Sequence, residues 1–186
     1  MEQAADSTPD ADVADHLLVQ RTAQGDTAAF EILVRRYQQP VANLAYRFLA
    51  DAAMAQDIAQ DTFIRVYQAA GRYRPDGSFK AYLLRITKNL CLDYLRKKKP
   101  LYAENPDAGE TTAGPLEQLI QSETSRQVFA AVQSLPASQR LALLLQHFED
   151  LSYRETAQVM ETTVAAVESL LVRAKKNLRE KLEKFI

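Results

Sequence analysis

Residues 100–115, Pro-Leu-Tyr-Ala-Glu-Asn-Pro-Asp-Ala-Gly-Glu-Thr-Thr-Ala-Gly-Pro, hold three prolines and two of the chain's five glycines. A regular helix or central strand does not run through such a stretch, because proline lacks an amide donor and glycine loses the most freedom on ordering. The segment reads as a flexible linker, 100–115, between two bodies, 16–99 and 116–186, with an acidic, aperiodic tail over 1–15.

Both bodies read as helical. In the first, Phe30, Leu33, Val34, Tyr37, Val41, Leu44, Ala45 and Phe48 recur at helical spacing. A second helix follows Asp51, with Ile58, Thr62, Phe63, Val66 and Tyr67 on its apolar side. A third starts after Arg74-Pro75-Asp76-Gly77, with Ser78 as N-cap, and stops before Pro100. In the second body, one helix ends at Leu135-Pro136 and another covers about 138–148. Ser152-Tyr153-Arg154-Glu155 has the form of a capping box, and a last helix follows Thr162-Thr163. Alternating strand patterns and internal repeats are absent. The fold class expected is all-α, with two small helical domains.

A formal net charge of −1 conceals a strong asymmetry. Residues 1–16 and 101–125 each hold five acids and no base, so all 23 bases and the other 14 acids lie elsewhere. A basic body with acidic tail and linker suits a polyanionic partner, although for charge alone a well-solvated surface is the better reading. No run approaches the roughly 18 apolar residues of a spanning helix, and the acidic start lacks the form of a signal peptide. A cytoplasmic location is expected. One cysteine, Cys91, excludes an internal disulfide, and two histidines, His16 and His147, form no metal cluster. No catalytic constellation, metal or cofactor is expected, because paired acids such as Asp57 and Asp61 lack a phosphate loop or a nucleophile–base pair. Cys91 reads as lying off the core face, a packed small side chain.

Residues 152–172 fit a helix-turn-helix. Ala157 supplies the small residue where helices cross, Met160 anchors the first helix, and Val164, Val167, Leu171, Ala174 and Leu178 form a stripe on the second. Glu161 stands where glycine is usual, which is costly if its φ is positive. An ordinary helical hairpin would show the same core pattern. The cations Arg173, Lys175, Lys176, Arg179 and Lys181 favour a duplex-reading helix, since they suit phosphates. On the third helix of the first body, Arg85, Lys88, Asn89, Leu92, Arg96 and Lys99 fall within about 100° of arc, away from Phe79, Leu83, Ile86, Leu90 and Tyr94. Cations beside aromatics suit single-stranded nucleic acid, and Tyr73 and Tyr82 are the better candidates for stacking on bases.

The string from Asp57 through Tyr67 resembles region 2.2 of the extracytoplasmic-function (ECF) sigma factors. Phe79 through Asn89, with Asp93 and Arg96, resembles regions 2.3 and 2.4. Leu135-Pro136, Arg140 and the string from Leu151 to Lys175 resemble region 4. The resemblance covers about 25–185, with order and linker included. It implies an alternative sigma factor that carries core RNA polymerase to promoters. Asp57, Gln60, Asp61, Phe63 and Arg65 would dock on the polymerase β′ clamp, with the β subunit also in contact. Tyr73, Arg74, Lys80, Tyr82, Arg85, Lys88, Asn89, Asp93, Arg96 and Lys97 would read and open the minus-ten element, binding duplex and then non-template single strand. Arg154, Thr163, Glu168, Ser169, Val172, Arg173 and Lys176 would read the minus-thirty-five duplex. The linker would thread the polymerase cleft. A monomer when free is implied, as is an anti-sigma partner, in many cases membrane-bound, that would hold the chain at the inner membrane.

Two departures stand out. Tyr82 occupies a position where the family usually has tryptophan. Ala166-Val167-Glu168-Ser169-Leu170 replaces two customary cations with an acid and a leucine; glutamate can accept from cytosine N4, and leucine can meet a thymine methyl or add packing. Two other readings compete. A helix-turn-helix regulator that never binds polymerase leaves the first body unexplained. A helical protein-interaction module leaves unexplained why cationic features occur in both bodies.

Overall fold

A computed structural model of the chain describes residues 14–74, 76–98 and 123–183. The described residues form two helical domains: α1 (Asp15–Ala23), α2 (Thr27–Leu49), α3 (Ala52–Ala69) and α4 (Phe79–Lys98), then α5 (Glu123–Gln133), α6 (Ala137–His147), α7 (Tyr153–Met160) and α8 (Val164–Leu182). The linker expected over 100–115 and residues 1–13 lie outside them. Among the described residues there is no strand, and no helix is long and apolar enough to cross a membrane.

Local chemistry sets the ends of the first-domain helices. The Asp26 carboxylate accepts from the Ala29 amide at 3.1 Å, and Asp51 does the same for Met54 at 3.0 Å, each satisfying an otherwise orphaned donor. Ala50 closes α2 in the left-handed region at φ 55°, and its amide donates to the Tyr46 carbonyl at 2.8 Å. Tyr94 Oη donates to Asp51 at 3.1 Å, which ties α4 to the entry of α3. Asp15 opens α1 instead of lying in the tail, because its carboxylate is held by the Arg36 guanidinium and by Tyr37 Oη, the latter at 2.5 Å.

The apolar faces converge on Leu18, Leu33, Leu44, Phe48, Val66, Leu83 and Leu84, all fully buried. Thr62 and Thr87 meet inside this core, each returning its hydroxyl to the carbonyl one turn back, at 2.7 and 3.1 Å. That satisfies both groups without water. Cys91 is buried within the same core, contrary to its expected place off the core face, and burial pushes its thiol up to about 12. The physical reason is that α4 is covered from several sides, by α2, α3 and α7, so no single stripe describes its buried surface.

The second domain packs α6, α7 and α8 around Leu141, Leu144, Leu145, Val159, Val167, Leu171 and Ala174. The two domains share one contiguous apolar core. At their seam Tyr46 stacks on Phe129 with ring centroids 5.6 Å apart, and the Arg47 guanidinium lies 4.3 Å over the Phe148 ring.

Candidate nucleic-acid interface

The capping box at the start of α7 is complete. Ser152 Oγ accepts from the Glu155 amide at 3.2 Å, and the Glu155 carboxylate accepts from the Ser152 amide at 3.0 Å. These bonds hold the Glu155 carboxyl below its usual range. Glu161 forms the turn at φ 56°, in the left-handed region, and the Thr162 amide donates to the Ala157 carbonyl at 3.0 Å. The Thr163 hydroxyl then caps α8, accepting from the Ala166 amide at 3.2 Å. Ala157 is buried where α7 and α8 meet, and Val167, Leu171 and Ala174 form the buried stripe. This is the helix-turn-helix expected over 152–172. Val164 departs from the expected stripe: as the first residue of α8 it sits at the mouth of a cleft and is 40% exposed. Leu170 packs partly buried against the Val167–Leu171 cluster, so it adds packing.

The outer face of this unit is open. Arg154, Thr163, Glu168, Ser169, Val172, Arg173 and Lys176 are all exposed, and Val172 reaches 67%, more than Leu17, Ile64 or Tyr67. Arg173 donates to Ser169 Oγ at 2.9 Å and to the Ser169 carbonyl at 3.2 Å, so it rises along the face its neighbours present.

The face of α4 is built differently. Tyr73, in the loop before it, packs edge-on against Phe79 at 5.9 Å and Tyr82 at 4.9 Å, and the Arg85 guanidinium lies 5.8 Å over the Tyr82 ring. The result is an aromatic and cationic platform at the N-terminal half of α4, with Arg74 exposed beside it. Asp93 pairs with Arg96 one turn on, and Arg96 and Lys97 are exposed. Asn89 is half-buried. Lys88 corrects the sequence expectation of a solvent stripe: it is 4% exposed and pairs with Glu161 at 2.5 Å. Lys80 donates to the Glu149 carbonyl at 2.6 Å and pairs with its carboxylate at 3.2 Å. Lys99, assigned to the same stripe, lies outside the described residues.

On α3, Asp57, Gln60, Asp61 and Arg65 are exposed on the outer side. Phe63 is buried instead, so it supports this surface from beneath. Beside it runs an open groove of about 740 Å³ between α2 and α3, floored by Phe30, Val34, Phe63 and Ile64 and edged by glutamines including Gln38 and Gln60. Sequence reasoning missed this groove. The exposed Ile64 and Tyr67 were its signal, but helical periodicity assigned Tyr67 to the core and gave Ile64 no role.

A helix-turn-helix with an open outer face, beside a bundle carrying cations and aromatics, defines a helical DNA-binding protein. Sigma-70 region 2 matches residues 33–100, and sigma-70 region 4 matches residues 125–178. The RNA polymerase sigma-H factor of Pseudomonas aeruginosa is 34% identical over 184 residues, which cover 92% of this chain and 95% of that one. The ECF RNA polymerase sigma-E factor of Escherichia coli (strain K12) is 35% identical over 187 residues, covering 94% and 97%. The solved structure of CnrH in complex with the cytosolic domain of CnrY superposes with a TM-score of 0.72 at 27% identity, covering 92% of this chain and 99% of that one. The chain belongs to the extracytoplasmic-function sigma factors of bacterial RNA polymerase. Its function is that of an alternative sigma factor, and a helix-turn-helix regulator without a polymerase-binding domain is not favoured.

Proposed function

We propose that this chain binds core RNA polymerase through the outer side of α3, opens the minus-ten element with the loop before α4 and with α4 itself, and reads the minus-thirty-five duplex with α8. The single observation that supports this division is that α3, on one side, and α4 and α8, on the other, carry chemically different faces. The α3 face presents acids and glutamines around an apolar groove, which suits a protein surface. The α4 and α8 faces present cations, which suit phosphates. Asp57, Gln60, Asp61 and Arg65 make the polymerase contact, with Phe63 holding the floor beneath them. Tyr73 and Tyr82 stack on displaced bases, while Arg74, Lys80, Arg85, Lys88, Asn89, Arg96 and Lys97 hold the strand and Asp93 orients Arg96. On α8, Glu168, Ser169 and Val172 face base edges, while Arg154, Arg173 and Lys176 meet phosphates; Thr163 sets the helix entry.

The site of action is the cytoplasm, and the chemistry is recognition without catalysis. By likeness to CnrH, solved in complex with the cytosolic domain of CnrY, an anti-sigma factor is the protein partner of this chain, and its attachment to a membrane would hold the chain there. Asp61→Arg tests the docking surface. Asp61 is exposed, so the substitution leaves the fold within about 0.5 kcal/mol, and the variant should lose retention on core polymerase while keeping its helical circular dichroism. Normal retention by the variant would refute the assignment of this surface.

A further inference from the structure

The two ends of α8 present different chemistry to solvent. At about 100° per residue, Glu168, Val172, Ala165, Lys176 and Ser169 fall within about 100° of arc, away from the buried Val167, Leu171 and Ala174. All five are exposed. Ala165 and Ser169 are short. Between Val164 and Val172, therefore, only Glu168 and Val172 reach well out from this side of the helix. The cations begin at Arg173, and its guanidinium is turned back onto Ser169.

The acids at the two ends are also held differently. Glu180 pairs with Lys176 at 4.0 Å and Glu183 with Arg179 at 3.8 Å, each one turn apart. Glu168 has Val164 and Val172 one turn to either side, so no cation of α8 stands at pairing distance along the helix. Among the described residues none pairs with its carboxylate. An unpaired carboxylate on a face that meets DNA is repelled by phosphates at every sequence. It gains only where a base offers a donor. In the major groove the donors are cytosine N4 and adenine N6. Adenine sets the acceptor N7 beside its donor, and guanine and thymine present acceptors to that groove, so cytosine is the base that fits. Val172, 67% exposed and apolar, suits the C5-methyl of thymine.

We propose that Glu168 fixes a cytosine in the upstream box of this chain's promoters, and that Val172 fixes a thymine close to it. The proposal rests on the reading of α8 given above and adds the bases it selects. Four residues of helix span about 6 Å, close to two base-pair steps of about 3.4 Å, which sets the spacing of the two bases. Selection at the Glu168 position works by exclusion as much as by attraction, because guanine and thymine there set acceptors against the carboxylate. Arg173 and Lys176 supply phosphate contacts that hold for any sequence.

The test assembles the full chain with bacterial core RNA polymerase and transcribes a library of random promoters. The base preferences of productive templates are then compared, position by position, among the parent and the variants Glu168→Ala, Glu168→Gln and Val172→Ala. The parent should favour cytosine at one upstream position by about ten-fold, and Glu168→Ala should reduce that preference below about two-fold. Glu168→Gln should move the same position toward adenine, whose N6 and N7 an amide meets together. Val172→Ala should relax a thymine within about three base pairs of that cytosine, the reach of four helical residues. The downstream box should stay the same in all three variants and serves as the internal control. A cytosine preference that survives Glu168→Ala, a position still led by cytosine in Glu168→Gln, or an equal rise on every template would overturn the assignment of Glu168. A thymine that survives Val172→Ala would overturn the pairing of the two residues. Glu168 is exposed, and the alanine and glutamine variants each report on it, so loss of helical structure in one leaves the other to decide. Absence of initiation by the parent from any template would overturn the sigma-factor reading together with this inference. Initiation through a shared upstream box that ignores Glu168 would overturn the inference alone.

Discussion

Replacing Ser152 by alanine removes the hydroxyl that accepts from the Glu155 amide and donates to the Glu155 carboxylate at 2.8 Å. The reciprocal bond from the Ser152 amide to that carboxylate remains available. α7 has only 8 residues, so the cap serves a large part of its length. Loss of such a cap costs about 1 kcal/mol, within a range of roughly 0.5–2. In a domain of this size that lowers the melting temperature by about 4–8 °C and raises amide exchange along α7 about five-fold. The pH dependence has a definite sign. The Glu155 carboxyl is held below its usual value of 4.5 first by the Ser152 amide and then by the Ser152 hydroxyl, so its stabilisation is present above that value and is lost as pH falls through the depressed one. Ser152→Ala should therefore melt lower at pH 7 and lose less of its remaining stability on acidification. Thermal melts and amide exchange at pH 7 and below pH 4 measure both effects. A variant with unchanged melting temperature and unchanged acid sensitivity would refute the reasoning that the capping box anchors the helix-turn-helix.

Three further outcomes follow from single residues. Arg173→Ala should weaken binding to duplexes of any sequence and reduce the slope of log affinity against log salt by about 1, measured by fluorescence anisotropy across a salt series. Leu171→Ala, in the core between α7 and α8, should destabilise the second domain by about 2–5 kcal/mol, read by denaturant titration. Cys91, buried and with its thiol pushed up to about 12, should react with a thiol reagent only at the rate of opening, so its labelling should accelerate sharply through the unfolding transition.

Much of the fold was legible because its signals are local. The capping box, the turn at Glu161, the Ser78 cap and the Val167–Leu171–Ala174 stripe each depend on residues within one or two turns of one another. The candidate faces of α3 and α8 were legible for the same reason, since periodicity assigns a side to each residue. What failed was set by distant contacts. Lys88 sits on the angular arc of Arg85 and Arg96, but its partner Glu161 is 73 residues away, and no helical wheel contains it. Cys91 failed by the same route, and Val164 failed for a local reason. The first is covered by more than one neighbouring helix, and the second lies at a helix start where the core stripe has not yet closed. Glu149 had no signal as a single acid before Asp150. Its buried place beside Lys80 and Arg47 appears only when the domains meet, and there burial raises its carboxyl against the opposing pull of Lys80.

The most direct test of the account is retention of the purified chain on bacterial core RNA polymerase, followed by transcription from a library of random promoters. Salt-resistant retention, with initiation from templates sharing two separated sequence boxes, is the predicted result. Absence of retention, with duplex binding through α8 intact, would contradict the account and leave a helix-turn-helix protein that does not serve the polymerase.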